Sequence, residues 1–238
     1  DNIDKPACGK KDVAVSNVPG GNSNSAAELA VALMFSVLRK TSWAHQKLVE
    51  GGWDKSAFLG NELADKTIGI FGMGRVGQLL AKRLSGFDNR VLYFDPHASK
   101  KLDIPGGEAV DTIEKLFAES DIISLHCPLT PQTKNLVSQK LLSLMKPSAI
   151  LINVARGGIV VEEDLLEVLQ KKKIRGAGFD VFLTEPLESD SPFRRLDNIV
   201  LTPHIGASTQ EAQERVGEAC LHQLKDFFVN KNLINEVR

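Results

Sequence analysis

The sequence predicts an α/β fold in which a doubly wound parallel sheet fills most of the chain. Three observations support this prediction. Short apolar, β-branched segments alternate with helical segments along most of the 238 residues. Most of the apolar segments lack polar alternation, as expected for strands that helices cover on both faces. A glycine-rich turn, GMGRVG at 72–77, connects one such strand to the helix that follows it.

The N-terminal segment fits this alternation poorly. Residues 1–20 predict a short helical piece and one strand, DVAVSNVP at 12–19, without the sheet that such a strand needs. A long helix is then expected from Ser25, with Glu28 completing a capping box. This helix is apolar around most of its circumference, and two interpretations stay open. It is either a core helix within the chain, or it also packs against a second subunit.

The remaining elements follow in regular order. Strands are predicted at 66–72, 90–95, 121–127, 148–154, 176–182 and 198–203. Helices are predicted at 75–85, 111–118, 138–145 and 161–172, with a long amphipathic helix over 208–230. Because parallel neighbours require crossover connections, this order favours right-handed strand–helix–strand units.

Composition argues against several classes of protein. The formal net charge is −1, which gives no electrostatic footprint for nucleic acid or an anionic membrane. Three cysteines, Cys8, Cys127 and Cys220, show no C-x-x-C spacing, so neither a disulfide framework nor a metal site is expected. A reducing compartment, the cytoplasm, is expected instead. The longest apolar stretch, 26–38, is too short to span a bilayer, and no signal peptide is visible.

The glycine-rich turn predicts a dinucleotide site. Gly72, Gly74 and Gly77 have G-x-G-x-x-G spacing between a strand and a helix, and the next strand ends at Asp95. Gly72 would allow the tight turn, Gly74 the approach of a pyrophosphate, and Gly77 close packing of helix on strand. The pyrophosphate would lie at the helix N-terminus, where unpaired N–H groups point at it.

Asp95 bears on the choice of cofactor. Its carboxylate would accept hydrogen bonds from the adenosine ribose hydroxyls and repel a 2′-phosphate, so NAD is favoured over NADP. Lys100 and Lys101 follow closely enough to keep NADP open as an alternative.

Three ionisable residues each follow an apolar strand: Arg156, Glu185 and His204. Ligands of an open parallel sheet bind outside the carboxyl ends of the strands, so these side chains are expected to converge there. Each alone has an ordinary explanation, as an ion pair, a solvated turn residue or a strand-end histidine. Together they suit hydride transfer, with histidine moving the hydroxyl proton, the carboxylate orienting the imidazole, and arginine binding a substrate carboxylate. Gly157 and Gly158 are expected to leave room for that small anion. The implied substrate is a 2-hydroxy acid or its 2-keto partner.

Several longer motifs identify a family resemblance. The chain resembles the D-isomer-specific 2-hydroxyacid dehydrogenases over nearly its whole length, through GMGRVG…FDP, HCPLTPQT, INVARGGIVVEEDLL, GAGFDVFLTEP and LTPHIGAST. The resemblance implies a Rossmann-type NAD-binding domain at 21–206. It also implies that 1–20 is a remnant of a flavodoxin-like substrate-binding domain, to which a C-terminal helix at 207–238 returns.

The resemblance assigns roles to individual residues. It makes Arg156 the substrate-carboxylate arginine, His204 the acid–base and Glu185 its partner, and it places Asp180 near the nicotinamide carboxamide. The residues it implies for the NAD site are Gly72, Gly74, Arg75, Val76, Gly77, Asp95, Cys127, Pro128, Thr133, Val154, Ala155, Arg156, Asp180, His204 and Gly206.

The resemblance also implies a substrate and an assembly. PGGNSNSAAE and HIGASTQEAQERVGE are most similar to members that oxidise 3-phosphoglycerate to 3-phosphohydroxypyruvate, the entry to serine biosynthesis. Members that act on hydroxypyruvate, glyoxylate or other 2-keto acids share the same three residues, as can corepressor-like proteins that sense NAD(H). A homodimer or higher homo-oligomer is expected. Family members carry a substrate-binding lid ahead of the segment that matches residue 1.

Overall fold

The structure, a computed structural model, describes residues 3–98 and 107–237. The α-helices in this part of the chain are α1 (Lys5–Lys10), α2 (Ser23–Arg39), α3 (Thr41–Val49), α4 (Arg75–Leu84), α5 (Ile113–Glu119), α6 (Gln139–Leu142), α7 (Glu162–Gln170) and α8 (Gln210–Asn230). The strands are β1 (Thr67–Phe71), β2 (Arg90–Phe94), β3 (Gly107–Ala109), β4 (Ile122–Leu125), β5 (Ile150–Asn153), β6 (Gly176–Phe179) and β7 (Ile199–Leu201).

These strands form one parallel sheet in the order β3-β2-β1-β4-β5-β6-β7. The predicted fold class, a doubly wound parallel sheet, is confirmed. The chain builds outward from β1 in one direction as far as β3, then crosses to β4 and builds in the other direction. The carboxyl ends of β1 and β4 therefore flank the switch point, where sheets of this kind bind their ligands.

Apolar side chains cover both faces of the sheet. On one face, Leu125 and Leu151 pack with Leu165 of α7 in a buried cluster. On the other face, Ile70 and Ile152 pack in a cluster that includes side chains of α2 and α4. Burial on both faces explains why the strand sequences show no polar alternation. Burying each such side chain contributes roughly 1.5–3 kcal/mol.

Two predictions for the N-terminal segment are wrong. The predicted strand at 12–19 forms only an isolated antiparallel bridge, between Ser16 and Glu236, because its neighbour is a short irregular segment rather than a strand. The predicted capping box also fails, since α2 begins at Ser23 and Ser25 lies inside its first turn. The Ser25 hydroxyl donates to the Asn22 carbonyl instead.

Helix α2 has one face in the core of the chain and another that is only partly covered. Ala30 and Met34 are fully buried, whereas Leu29, Val31 and Phe35 are partly buried. Packing within the chain therefore covers only some of the apolar side chains around this helix.

The chain divides into two compact units. One consists of Asp1–Ser25 and Ala207–Arg238, and the other is Ala26–Gly206, which contains the whole sheet. In the first unit, Gln223 of α8 donates to the carbonyl of Asn17, and Arg215 donates to that of Gly21. Within the described residues, no helix combines the length and the apolarity needed to cross a membrane.

Candidate active site

The glycine-rich turn lies between β1 and α4 at the switch point of the sheet. Gly72 has a φ of +95°, a left-handed conformation that side chains disfavour, and a Cβ there would lie 2.6 Å from the backbone nitrogen of Cys127. A Cβ at Gly77 would overlap the carbonyl oxygen of Gly72. Both positions need glycine because α4 packs closely on the turn, and the turn packs closely on the segment after β4.

Space for a ligand opens at the N-terminus of α4. Gly74 is the N-cap residue and has no side chain that could cap the helix, and a Cβ added to it would meet no atom within 4 Å. The N–H groups of the first helical turn, which begins with Arg75 and Val76, therefore face an open approach. This is the arrangement that binds a phosphate group.

Asp95 directly follows β2 and lies beside the same turn. Its Oδ2 accepts from the Met73 N–H at 2.8 Å, and its Oδ1 accepts from the His97 N–H at 2.8 Å. Each carboxylate oxygen retains a second lone pair that can accept from a ribose hydroxyl. The open helix terminus and this fixed carboxylate fit a dinucleotide. Lys100 and Lys101, the basis of the NADP alternative, lie outside the described residues.

The segment after β4 forms a wall next to the glycine turn. Cys127 is buried, and its burial, with the charge of Asp95, raises the pKa of the thiol to about 12. The thiol therefore stays protonated at neutral pH and is no nucleophile. Thr133 holds this loop in shape, since its hydroxyl donates to the Pro128 carbonyl at 2.6 Å. Burial also lowers the pKa of His126 to about 3, so this ring stays neutral beside the Ser124 hydroxyl, 2.8 Å away.

Arg156 follows β5 on a turn that the buried Asn153 side chain organises. Asn153 donates from Nδ2 to the Arg156 carbonyl and accepts at Oδ1 from the Ala155 N–H, both at 3.1 Å. Val154 and Ala155 are buried, and the exposed Arg156 donates from Nη1 to the Ala155 carbonyl at 2.7 Å. Asn153 was not predicted as a site residue, although a single polar residue ending an apolar strand is a signal of such a role.

Gly157, directly after Arg156, serves a different purpose from the expected one. We expected Gly157 and Gly158 to leave room for a small anion. A Cβ at Gly157 would instead overlap the backbone carbonyl of Phe182, and one at Gly158 would contact the Leu183 side chain at 3.4 Å. Gly157 is small because the turn packs directly on the segment after β6.

Glu185 and His204 form a hydrogen-bonded pair. His204 Nδ1 lies 2.6 Å from Glu185 Oε2, and the Phe182 N–H donates to Glu185 Oε1 at 2.9 Å. Burial alone would raise the pKa of Glu185. The hydrogen bonds from His204 and Phe182 and the charges of His204 and Arg156 outweigh it, so the pKa is lowered. Glu185 is thus a carboxylate at neutral pH, directed at the imidazole.

Asp180 holds the loop that carries His204. This fully buried carboxylate accepts from the Thr202 hydroxyl at 2.6 Å and from the N–H groups of Ile205 and Gly206 at 2.8 Å. The His204 N–H donates to the Asp180 carbonyl at 2.9 Å, and His204 itself has a φ of +54°. Such a left-handed conformation is uncommon for histidine, and the surrounding hydrogen bonds maintain it. Thr202 was not predicted as a site residue.

The predicted residues thus collect in two groups along the carboxyl edge of the sheet. The glycine turn, Asp95 and the loop after β4 make the first group, at the ends of β1, β2 and β4. Arg156, Glu185 and His204 make the second, at the ends of β5, β6 and β7. A cavity of about 320 Å³, lined mainly by apolar side chains, opens beside the Glu185–His204 pair. The arrangement places the charge of the Arg156 guanidinium close enough to Glu185 to lower its pKa, and Glu185 in turn pairs with the His204 imidazole.

Residues 31–206 match the family described as D-isomer specific 2-hydroxyacid dehydrogenase, NAD binding domain. A D-3-phosphoglycerate dehydrogenase of Methanocaldococcus jannaschii is 42% identical over 226 residues, which cover 94% of this chain and 43% of that protein. A hydroxypyruvate reductase of Thermotoga maritima is 45% identical over 220 residues, which cover 91% of this chain and 71% of that protein.

Among solved structures, the NAD complex of a formate dehydrogenase from Staphylococcus aureus is similar to the whole chain. It has a TM-score of 0.91 and 35% sequence identity, and the match covers 72% of that chain. This chain spans about two fifths of the length of the D-3-phosphoglycerate dehydrogenases that it matches, between 41% and 43%.

Proposed function

The chain belongs to the D-isomer-specific 2-hydroxyacid dehydrogenase family, and we propose that its protein oxidises 3-phosphoglycerate to 3-phosphohydroxypyruvate with NAD. The observation that carries the proposal is the Glu185–His204 pair, 2.6 Å apart, on the sheet edge that also bears Arg156 and the glycine turn. A proton-transfer pair, an anion-binding arginine and a dinucleotide cradle are together what oxidation of a 2-hydroxy acid requires.

The site residues divide the chemistry between them. Arg156 holds the substrate carboxylate through its planar guanidinium. His204 removes the hydroxyl proton while Glu185 stabilises the imidazolium that forms. NAD, held at the glycine turn, would supply the hydride acceptor for the carbon that bears this hydroxyl. In the reverse direction His204 returns the proton to the carbonyl oxygen.

Other residues hold the cofactor and position the proton donor. The N-terminus of α4 would hold the pyrophosphate, and Asp95 would hold the adenosine ribose. Asp180 maintains the turn that carries His204. Any contact of Asp180 with the nicotinamide carboxamide would use the one lone pair, on Oδ2, that its three hydrogen bonds leave free.

The proposed substrate is that of enzymes similar to this chain. D-3-phosphoglycerate dehydrogenases from Methanocaldococcus jannaschii and Archaeoglobus fulgidus are 42% and 43% identical to this chain. The Thermotoga maritima hydroxypyruvate reductase, at 45%, supports a second candidate, reduction of hydroxypyruvate.

The test is a substrate comparison with the full-length protein. kcat/KM would be measured with NAD for D-3-phosphoglycerate, D-glycerate, D-lactate and glycolate. The proposal expects D-3-phosphoglycerate to exceed the others by about 100-fold, since a bound phosphate adds charge-assisted hydrogen bonds. Preference for D-glycerate would favour the hydroxypyruvate reductase. Binding of NADH without turnover of any substrate would indicate an NAD(H)-sensing protein instead.

The proposal includes a homodimer in the cytoplasm. α3 and the segment after it expose large apolar side chains, Leu48, Val49, Trp53 and Leu59, and a second subunit would cover such a surface. Three unpaired cysteines suit a reducing compartment. Light scattering of the full-length protein would give the mass of the assembly, and a monomer at micromolar concentration would contradict this part.

A further inference from the structure

The peptide between Phe182 and Leu183 connects two parts of the site, the turn that carries Arg156 and the Glu185–His204 pair. On one side it packs against Gly157, where an added Cβ would overlap the Phe182 carbonyl and lie 2.7 Å from the Leu183 nitrogen. Gly157 directly follows Arg156, so the arginine turn rests on this peptide. A shift of this peptide would therefore also displace Arg156.

On the other side, the same short segment reaches the proton-transfer pair. The Phe182 N–H donates to Glu185 Oε1 at 2.9 Å, while Glu185 Oε2 meets His204 at 2.6 Å. One oxygen of Glu185 is thus fixed by the backbone and the other faces the imidazole. The direction of the Glu185 carboxylate depends on where the Phe182 N–H points.

A second carboxylate fixes this segment from outside. Glu162, the first residue of α7, accepts from the Leu183 N–H at 2.6 Å. Burial, with the charges of Glu163 and Glu185, raises the pKa of Glu162 against the lowering effect of the Leu183 hydrogen bond. Placing the carboxylate there therefore has an electrostatic cost, and α7 already carries Glu163 and Asp164 in its first turn. Favourable interaction with the helix dipole alone does not account for its position.

We infer that Glu162 is a positioning residue for the proton-transfer pair: by accepting the Leu183 N–H, it holds the 182–185 segment so that Glu185 faces His204. The inference rests on the proposed dehydrogenase function. Glu162 acts on the pair through the backbone of this segment. Glu162 sets the orientation of the Glu185 carboxylate, and this role does not require the charge of Glu162.

Three variants of the full-length protein separate this role from others. Glu162→Ala removes the acceptor of the Leu183 N–H, whereas Glu162→Gln removes the charge and keeps an acceptor oxygen. Glu163→Ala is the matched control, since it removes an exposed carboxylate from the same helical turn. We expect Glu162→Ala to lower kcat about tenfold with KM and NADH affinity nearly unchanged, because a small misplacement of a catalytic group is costly. Glu162→Gln should restore most of the loss, and Glu163→Ala should show none.

The pH dependence of turnover distinguishes this positioning role from a purely structural one, because a purely structural role would not change that dependence. Reduction of the keto acid needs a protonated His204, which the Glu185 carboxylate stabilises. With that carboxylate misdirected in Glu162→Ala, reductive turnover should fall off at lower pH than in the wild type, and Glu162→Gln should return the midpoint. An unchanged profile, or equal losses in Glu162→Ala and Glu162→Gln, would overturn the inference.

Amide hydrogen exchange keeps the inference distinct from the proposed function. In Glu162→Ala the 182–185 segment should exchange faster than in Glu163→Ala, whatever substrate the protein uses. If the wild-type protein turned over no hydroxy or keto acid, the proposed function would fail, and equal exchange in the two variants would still overturn the inference by itself.

Discussion

His204 adopts a left-handed backbone conformation, with φ +54°, and its Nδ1 lies 2.6 Å from Oε2 of Glu185. A pair in this geometry leaves the other ring nitrogen, Nε2, to exchange a proton with a substrate. The pair forms because two separate strand-end loops, one after β6 and one after β7, each present one member. The following predictions test what each of these parts contributes.

Glu185→Gln should move the pH dependence of the reaction. The amide keeps the size of the side chain and loses the charge that stabilises the imidazolium, so reductive turnover should fall off at lower pH than in the wild type. kcat at neutral pH should fall about 10- to 100-fold. Steady-state rates across pH measure both, and Glu188→Gln, an exposed carboxylate on the same segment, is the control. A profile identical to that of the wild type would remove Glu185 from its role.

Glu185 also links stability to pH. The pKa of Glu185 is lower in the folded chain than in the unfolded chain. The stabilisation that Glu185 contributes is therefore fully present at pH values above the ordinary carboxyl pKa, and it is lost as the pH falls through the lowered pKa of the folded chain.

Asp180→Ala should destabilise the fold and the His204 loop together. The change leaves the N–H groups of Ile205 and Gly206 and the Thr202 hydroxyl without their acceptor, at a cost of roughly 2–4 kcal/mol. Chemical denaturation measures the free energy of unfolding. Asp190→Ala, which removes an exposed aspartate, should change it by less than about 0.5 kcal/mol. Equal stabilities of the two variants would show that the three hydrogen bonds matter little.

Gly157→Ala should distort the site through backbone overlap. The added methyl group meets the Phe182 carbonyl, and backbone cannot move aside as a flexible side chain can. We expect a loss of roughly 1–3 kcal/mol in the free energy of unfolding and a rise in KM, since Arg156 is displaced. The control is Gly86→Ala, where a Cβ would meet no atom within 4 Å. Wild-type KM in Gly157→Ala would contradict the close packing described here.

Asp95→Asn should weaken discrimination between the two nicotinamide cofactors. The amide keeps one acceptor oxygen, which can serve the Met73 N–H and the ribose; it loses the hydrogen bond from the His97 N–H and no longer repels a 2′-phosphate. The ratio of NADPH to NADH affinity, measured by titration calorimetry, should rise about tenfold or more. Asp88→Asn, an exposed position before the same strand, should leave the ratio unchanged. A constant ratio in Asp95→Asn would mean that another group sets the preference.

The sheet could be predicted because burial on both faces gives its strands continuous apolar sequences. Boundaries were less accurate: β4 ends at Leu125, whereas the predicted strand ran to Cys127, because His126 and Cys127 already belong to the loop beside the glycine turn. Helix α3 was not predicted. Its sequence, TSWAHQKLV, has four apolar residues among nine, but none of them is fully buried.

The placement of Arg156, Glu185 and His204 along one edge of the sheet followed from their positions after parallel strands. Their supports could not be predicted in the same way. The bond from Leu183 to Glu162 and the packing of Gly157 on Phe182 join loops that are distant in sequence, and no spacing rule relates them. Asn153 and Asp180 are polar residues at the ends of apolar strands, and that signal could have identified Asn153 as well.

Deuterium transfer tests the central claim, hydride transfer from a D-2-hydroxy acid to NAD, most directly. D-3-phosphoglycerate carrying deuterium at C2 would be incubated with NAD and the full-length protein, and the NADH formed would be analysed by mass spectrometry. The account predicts one deuterium per NADH, no reaction with the L-isomer, and turnover lowered at least 100-fold in His204→Asn with NADH affinity retained. Absence of NADH formation with this and every related hydroxy acid, or release of the deuterium to water, would contradict it.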